Sequence, residues 1–154
     1  MRYGLWFSLI LLLSGCAMST HSTKAAQCPL LPMITVGQTM TVVLSSDNLF
    51  VNGSANFQKD AYPTLKALTC VLRSYDKVEI KIKGYTNLST GVNTNQALSA
   101  AQAKAVADYV WSHGVDARLI YAEGLGSAQP IANPTTAKGK ALNRRIEVEF
   151  MKLG

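Results

Sequence analysis

Val78-Glu79-Ile80-Lys81-Ile82-Lys83-Gly84-Tyr85-Thr86-Asn87 is the stretch from which the fold can be read. Val78, Ile80 and Ile82 alternate with Glu79, Lys81 and Lys83, the period-two pattern of a strand with one buried and one wet face. Before it the period differs. Ala61, Leu65, Leu68 and Leu72 step by four, three and four, which is one face of a helix. Asp60 is the expected cap, and Pro63 is tolerated in the first turn. After the strand, residues 87–94 form a polar loop and residues 95–112 read as a second helix. That helix is alanine-rich, carries Leu98, Ala105, Val106, Tyr109 and Val110, and stops at His113-Gly114. Gly114 is the expected left-handed cap.

Working outward, the β-branched residues 39–44 predict a strand, and Leu49-Phe50-Val51 begins a second short extended piece. Asn52-Gly53-Ser54 is turn chemistry. Residues 118–123 predict another strand and residues 124–139 a loop containing Pro130 and Pro134. Ile146, Val148 and Phe150 alternate with Glu147 and Glu149 in a final strand. The order strand–helix–strand–helix–strand–strand predicts an α+β fold, a two-layer sandwich with helices packed on one face of a mixed sheet. There is no internal repeat.

The N-terminal end carries a different signal. Arg2 precedes an apolar stretch over residues 5–13, which ends in Leu13-Ser14-Gly15-Cys16. Roughly nine residues fall short of the ~20 that span a bilayer, so this predicts a cleaved signal peptide over residues 1–15. The Leu-Ser-Gly-Cys order places Cys16 where lipoprotein signal peptidase cuts, and its thiol is the atom that receives acyl (palmitate) chains. An ordinary secretory signal with a chance cysteine is the alternative. Residue 17 is alanine. Lipoprotein sorting reads an aspartate there as an inner-membrane signal, so the expectation is the outer membrane of a Gram-negative cell, with the domain in the periplasm. Residues 16–38 are then the lipidated cysteine and its tether, and residues 39–151 the domain.

Of 154 residues, the part after the signal suits one packed core. The formal charge of +6 loses one with Arg2, and the remaining basic residues are scattered. An exported lipoprotein meets anionic wall polymer, lipid headgroups or acidic proteins, and no nucleic-acid partner is expected. Two further cysteines, Cys28 and Cys70, form a possible disulfide in an oxidising compartment. Otherwise Cys70 is a small buried hydrophobe on a helix and Cys28 is free. Without a CxxC or a histidine-rich cluster, no metal site is expected.

Enzymatic activity is not expected, and neither is a cofactor. His21 falls in the tether and His113 at a helix end, where the dipole favours it. The spacings show no catalytic triad or paired carboxylates. Gly124-Leu125-Gly126 lacks the third glycine of a phosphate loop.

Several segments together resemble the OmpA-like and MotB-like domains. Leu49-Phe50-Val51-Asn52-Gly53-Ser54-Ala55 is similar to their entry motif, and Lys83-Gly84-Tyr85-Thr86-Asn87 to their Gly-x-Thr-Asp segment. Asn95-Gln96-Ala97-Leu98-Ser99-Ala100-Ala101-Gln102-Ala103 resembles their Asn-x-x-Leu-Ser-x-x-Arg-Ala helix. Gly114-Val115-Asp116-Ala117, Gly124-Leu125-Gly126 and Asn143-Arg144-Arg145-Ile146-Glu147-Val148 follow in family order.

The resemblance implies a β-α-β-α-β domain that docks non-covalently on peptidoglycan and holds the diaminopimelate of the stem peptide. In that pattern an aspartate pairs with the ligand's ammonium, and an arginine grips its carboxylate. Asn87 and Gln102 stand at these positions here. Thr86, Asn87, Asn95, Leu98 and Gln102 are thus expected to form a neutral, weakened version of the stem-peptide site, aided by the helix start near Asn95. The alternative makes Asn87 a turn residue and Gln102 a solvated helix position. Arg144 and Arg145 are expected to anchor the preceding loop by hydrogen bonds and ion pairs, with direct ligand contact as the alternative. The implied partners are the outer membrane through the lipid, peptidoglycan, and other envelope or secretion-complex proteins. Small lipoproteins of this kind occur in the outer-membrane core of type IVB secretion systems.

Overall fold

The computed structural model describes residues 28–75, 78–87, 91–116 and 119–152. The signal peptide, Cys16 and the tether as far as residue 27 lie outside the described residues. Five strands form one sheet: β1 (Met33–Val36), β2 (Thr39–Ser45), β3 (Val78–Tyr85), β4 (Ile120–Gly126) and β5 (Arg145–Lys152). Their spatial order is β1-β2-β5-β3-β4. Only the β3–β4 pair is parallel; β1–β2, β2–β5 and β3–β5 are antiparallel. Among the described residues, four α-helices accompany them: α1 (Ser46–Leu49), α2 (Tyr62–Arg73), α3 (Val92–Ser112) and α4 (Ala137–Asn143).

Strand register lines up the core. Val42, Val148 and Ile82 are cross-strand neighbours, as are Leu44, Ile146 and Gly84. These rows meet Leu65, Leu68 and Leu72 of α2 and Ala103, Val106 and Val110 of α3 in one buried cluster. The opposite face is polar, with Lys83 Nζ bonded to both Glu149 oxygens at 2.8 Å. This is the α+β two-layer sandwich the periodicity predicts.

Two glycines set how close α3 comes. Gly84 and Gly124 face each other across β3 and β4. A Cβ at Gly84 would lie 2.1 Å from the Ser99 carbonyl oxygen, and one at Gly124 would lie 2.2 Å from the Ala100 backbone nitrogen. Any side chain there pushes the helix backbone off the sheet. Ser99 and Gln96 complete the seam. Ser99 Oγ accepts from the Gly126 amide at 2.9 Å, and Gln96 Nε2 donates to the Gly124 carbonyl at 2.9 Å.

Several expectations need correction. Gly124-Leu125-Gly126 belongs to β4 and not to a loop, because the glycines serve this helix contact. Residues 137–139, also expected in that loop, begin α4, which is started by Thr136 Oγ1 accepting from the Gly139 amide at 3.0 Å. The helix α3 begins at Val92, three residues before the expected start, after Gly91 at φ 100°. The Asn95 amide is accordingly spent on the Gly91 carbonyl, and Asn95 offers no free helix-start amide. Asp60 does not cap α2. It lies in a 3₁₀ turn (Lys59–Ala61) that leads into the helix, and Ala61 holds the cap position. The piece expected to be extended from Leu49 starts as the last residue of α1; only Phe50 bridges to Phe57, with their rings stacked at 5.1 Å.

Two features lie at the N-terminal side of the domain. Met33–Val36, inside the stretch read as tether, pairs with β2 through a turn at Gly37, whose φ is 61°. Cys28 and Cys70 are joined in a disulfide with a Cα–Cα distance of 5.5 Å, clipping the segment before β1 onto α2. The bridge spans 42 positions of chain.

Two outcomes follow. Gly84→Ala or Gly124→Ala should each lower stability by about 2–3 kcal/mol, since backbone and not a flexible side chain must move; urea unfolding midpoints measure this. Replacing Cys28 and Cys70 together by alanine should cost about 3–4 kcal/mol by loop-closure entropy, read from the same curves against the oxidised protein.

Candidate ligand cleft at the end of strand 3

The chain leaves β3 at Tyr85 and runs through Thr86 and Asn87 beside the first half of α3. Thr86 is 3% exposed, and its amide donates to the Gly126 carbonyl at 2.9 Å. Next to it opens a small cleft of about 20 Å³. Its walls come from five parts of the chain: Ser46 and Asp47 of α1, the Phe50–Gly53 turn, Thr86 after β3, Leu98 and Gln102 of α3, and Arg144 before β5.

Gln102 is 4% exposed, so it is not a solvated helix position. Its Nε2 donates to the Ser54 carbonyl at 2.8 Å, tying the 51–54 turn down as one wall. A carbonyl can only accept, so this bond fixes which end of the amide is nitrogen. The other end, Oε1, is buried and has no hydrogen-bond partner among the described residues. Ser46, which also lines the cleft, has an Oγ that is likewise buried and without a partner among the described residues.

Charge enters at the rim. Arg144 donates through Nε and one terminal nitrogen to the two oxygens of Asp47, both at 2.7 Å. This two-pronged hydrogen bonding holds the guanidinium more firmly protonated than usual. The pair joins residues 97 positions apart, and no spacing rule reveals it. Only the resemblance of Asn143-Arg144-Arg145 to the family pattern drew attention to one partner.

Each residue of that tripeptide has its own task. Asn143 Oδ1 accepts from the Ile131 and Ala132 amides, and its Nδ2 donates to the Ala132 carbonyl. Arg145, 2% exposed, bonds Glu147 at 2.6 Å and donates to the Gln129 and Asn143 carbonyls. Its guanidinium also lies 3.7 Å from the centre of the Tyr85 ring. Asn143 and Arg145 thus hold the loop after β4, while Arg144 reaches the cleft.

The structure brings Thr86, Leu98 and Gln102 into one cleft. Asn87, half-buried, lines a second and larger cleft of about 240 Å³, shared with Thr86, Gly126, Ser127 and the loop around Pro130 and Pro134. Asn95 is buried and lines neither. Sequence reasoning missed Ser46 and Asp47, which a polar turn after a strand does not single out. No group of three or more His, Cys, Asp or Glu able to hold a metal occurs among the described residues.

Fold and site together define a class: a small α+β domain whose polar cleft, at the β3–α3 crossover, suits a polar ligand group. The sequence gives the family. Residues 49–144 match the OmpA family model, and the chain belongs to that family. It is 36% identical over 126 residues to the probable lipoprotein YiaD of Escherichia coli, covering 76% of this chain and 58% of that protein. It is 37% identical over 99 residues to the peptidoglycan-binding protein ArfA of Mycobacterium tuberculosis, covering 64% of this chain and 30% of that protein. The chain therefore spans little more than half of the first relative's length and under a third of the second's. Among solved structures, the cell wall anchor of the T6SS from Pseudomonas aeruginosa superposes with a TM-score of 0.73 at 26% identity, over 80% of this chain and 88% of that one.

Tyr85, 1% exposed, has its phenol pushed up to about 12, first by burial and then by the nearby Glu147 carboxylate. An unfolded tyrosine ionises near pH 10. The unfolded chain therefore loses this proton first as pH rises, so stability from Tyr85 is intact below pH ~10 and falls from there towards 12. Tyrosinate absorbance should show Tyr85 titrating late, with the melting temperature dropping over the same window.

Proposed function

We propose that this chain is an outer-membrane lipoprotein whose domain lies on or near peptidoglycan and contributes structurally, by non-covalent bridging, to an envelope assembly. The observation that carries this reading is the cleft itself. Gln102, at the family's arginine position, is buried in a cleft wall beside Thr86 and Leu98. The names of ArfA and of the T6SS cell wall anchor associate related domains with the cell wall. The Leu13-Ser14-Gly15-Cys16 sequence supports lipid attachment at Cys16 and periplasmic placement of the domain. Acyl chains hold one end and the wall the other; no bond is made or broken.

A second reading is favoured by the amides at positions 87 and 102. Neutral hydrogen bonds contribute about 1 kcal/mol and charge-assisted ones roughly 1.5–3, so a domain lacking both charges holds its ligand less tightly than its charged counterparts. In this reading the domain is a scaffold subunit working through protein contacts. Read this way, it resembles the IcmN/DotK lipoprotein in the outer-membrane core of type IVB (Dot/Icm) secretion systems.

Co-sedimentation of the detergent-solubilised full chain with purified sacculi separates the two. Bridging predicts that the wild type pellets with the wall. Asn87→Asp combined with Gln102→Arg should tighten binding by some five- to thousand-fold. If only the double variant pellets, the bridging reading is overturned and the scaffold reading stands.

A further inference from the structure

The cleft's unpaired atoms say which ligand chemistry it takes. Where the family pattern has an arginine, a ligand carboxylate meets donors. Here the Gln102 amide nitrogen is turned to the Ser54 carbonyl, with one of its two N–H bonds donating there. The other end of the amide, Oε1, is an acceptor that is buried without a partner among the described residues. The polarity of the position is inverted. A carboxylate brought to it would oppose oxygen to oxygen in a desolvated wall, and a group bearing N–H would satisfy it.

Two kinds of group carry such donors, an ammonium and a primary carboxamide. The ammonium is disfavoured at this depth. The cleft's one carboxylate, Asp47, is already engaged at both oxygens by Arg144, so no free anion is available to compensate a buried cation. A carboxamide is neutral and has two N–H donors, and its carbonyl can accept from the second unpartnered atom, Ser46 Oγ. Donor and acceptor in the ligand thus have a match on the cleft wall.

We infer that the cleft selects a stem peptide whose diamino-acid carboxyl is present as the carboxamide, over the same peptide with a free carboxylate. The inference rests on the wall-binding reading above and specifies its ligand. Gln102 is then the specificity-determining residue, and its bond to Ser54 is the positioning contact that turns Oε1 to the ligand.

The test is calorimetric titration of the detergent-solubilised full chain with two soluble muropeptides, identical except for amidation of the diaminopimelate carboxyl. The amidated peptide should bind roughly tenfold or more tighter. Gln102→Arg should reverse the preference. Gln102→Met, close in shape and without polar ends, should abolish it, with melting curves confirming the fold. Equal affinities, or tighter binding of the free acid by the wild type, would overturn the inference while leaving wall binding intact. Failure of the wild type to bind either peptide would overturn both.

Discussion

The approach of α3 to the sheet at Gly84 and Gly124 is the constraint on which the other contacts depend. With a Cβ at either position the helix backbone meets an atom near 2 Å, so the observed packing requires glycine on both strands. Their absence of side chains lets Ser99 sink to full burial and bond the Gly126 amide. The same seating brings Gln102, one turn on, within reach of the Ser54 carbonyl. A parallel β3–α3–β4 unit held this closely gives the chain after β3 little freedom, and Thr86 is fixed between strand end and helix.

The cleft is then assembled from elements distant in sequence. The helix supplies Leu98 and Gln102, a short turn after β2 supplies Ser46 and Asp47, and the approach to β5 supplies Arg144. The two positions that carry charge in the family pattern are amides, whereas a guanidinium and a carboxylate face each other at the rim. Since Asp47 and Arg144 neutralise one another, the cleft presents hydrogen-bonding groups with little net field. That favours recognition by donor and acceptor pattern over recognition by ionic attraction.

The chemistry of Asn143-Arg144-Arg145 shows how adjacent residues divide labour. Alternation along β5 puts Arg145 on the face of Glu147 and Glu149, where it packs against the Tyr85 ring and donates to the Gln129 carbonyl. Asn143 ends α4 and binds backbone of the preceding loop. Arg144, between them, is left facing Asp47. Anchoring, expected for both arginines, describes Arg145 well. Arg144 does something else as well, because its partner stands at the mouth of the cleft.

The sequence by itself determined the pattern elements: the alternation over residues 78–83, the four-three-four spacing of Ala61 to Leu72, and the left-handed turn at Gly114. Period two and period 3.6 arise from local geometry, so a linear reading recovers them and, with them, the two-layer class. It also marked Gln102 by its place in the family pattern. Element limits were less legible. The glycines of β4 read as loop because their reason for being glycine is a helix some 25 positions away, and α4 was hidden among turn formers. Tertiary structure alone decided that Gln102 spends its nitrogen on Ser54, that Asp47 meets Arg144, and that Asn87 and Gln102 line separate clefts. Hydrogen bonds are directional and reach only about 3 Å, so partners 48 and 97 positions apart are chosen by packing, which no local period encodes.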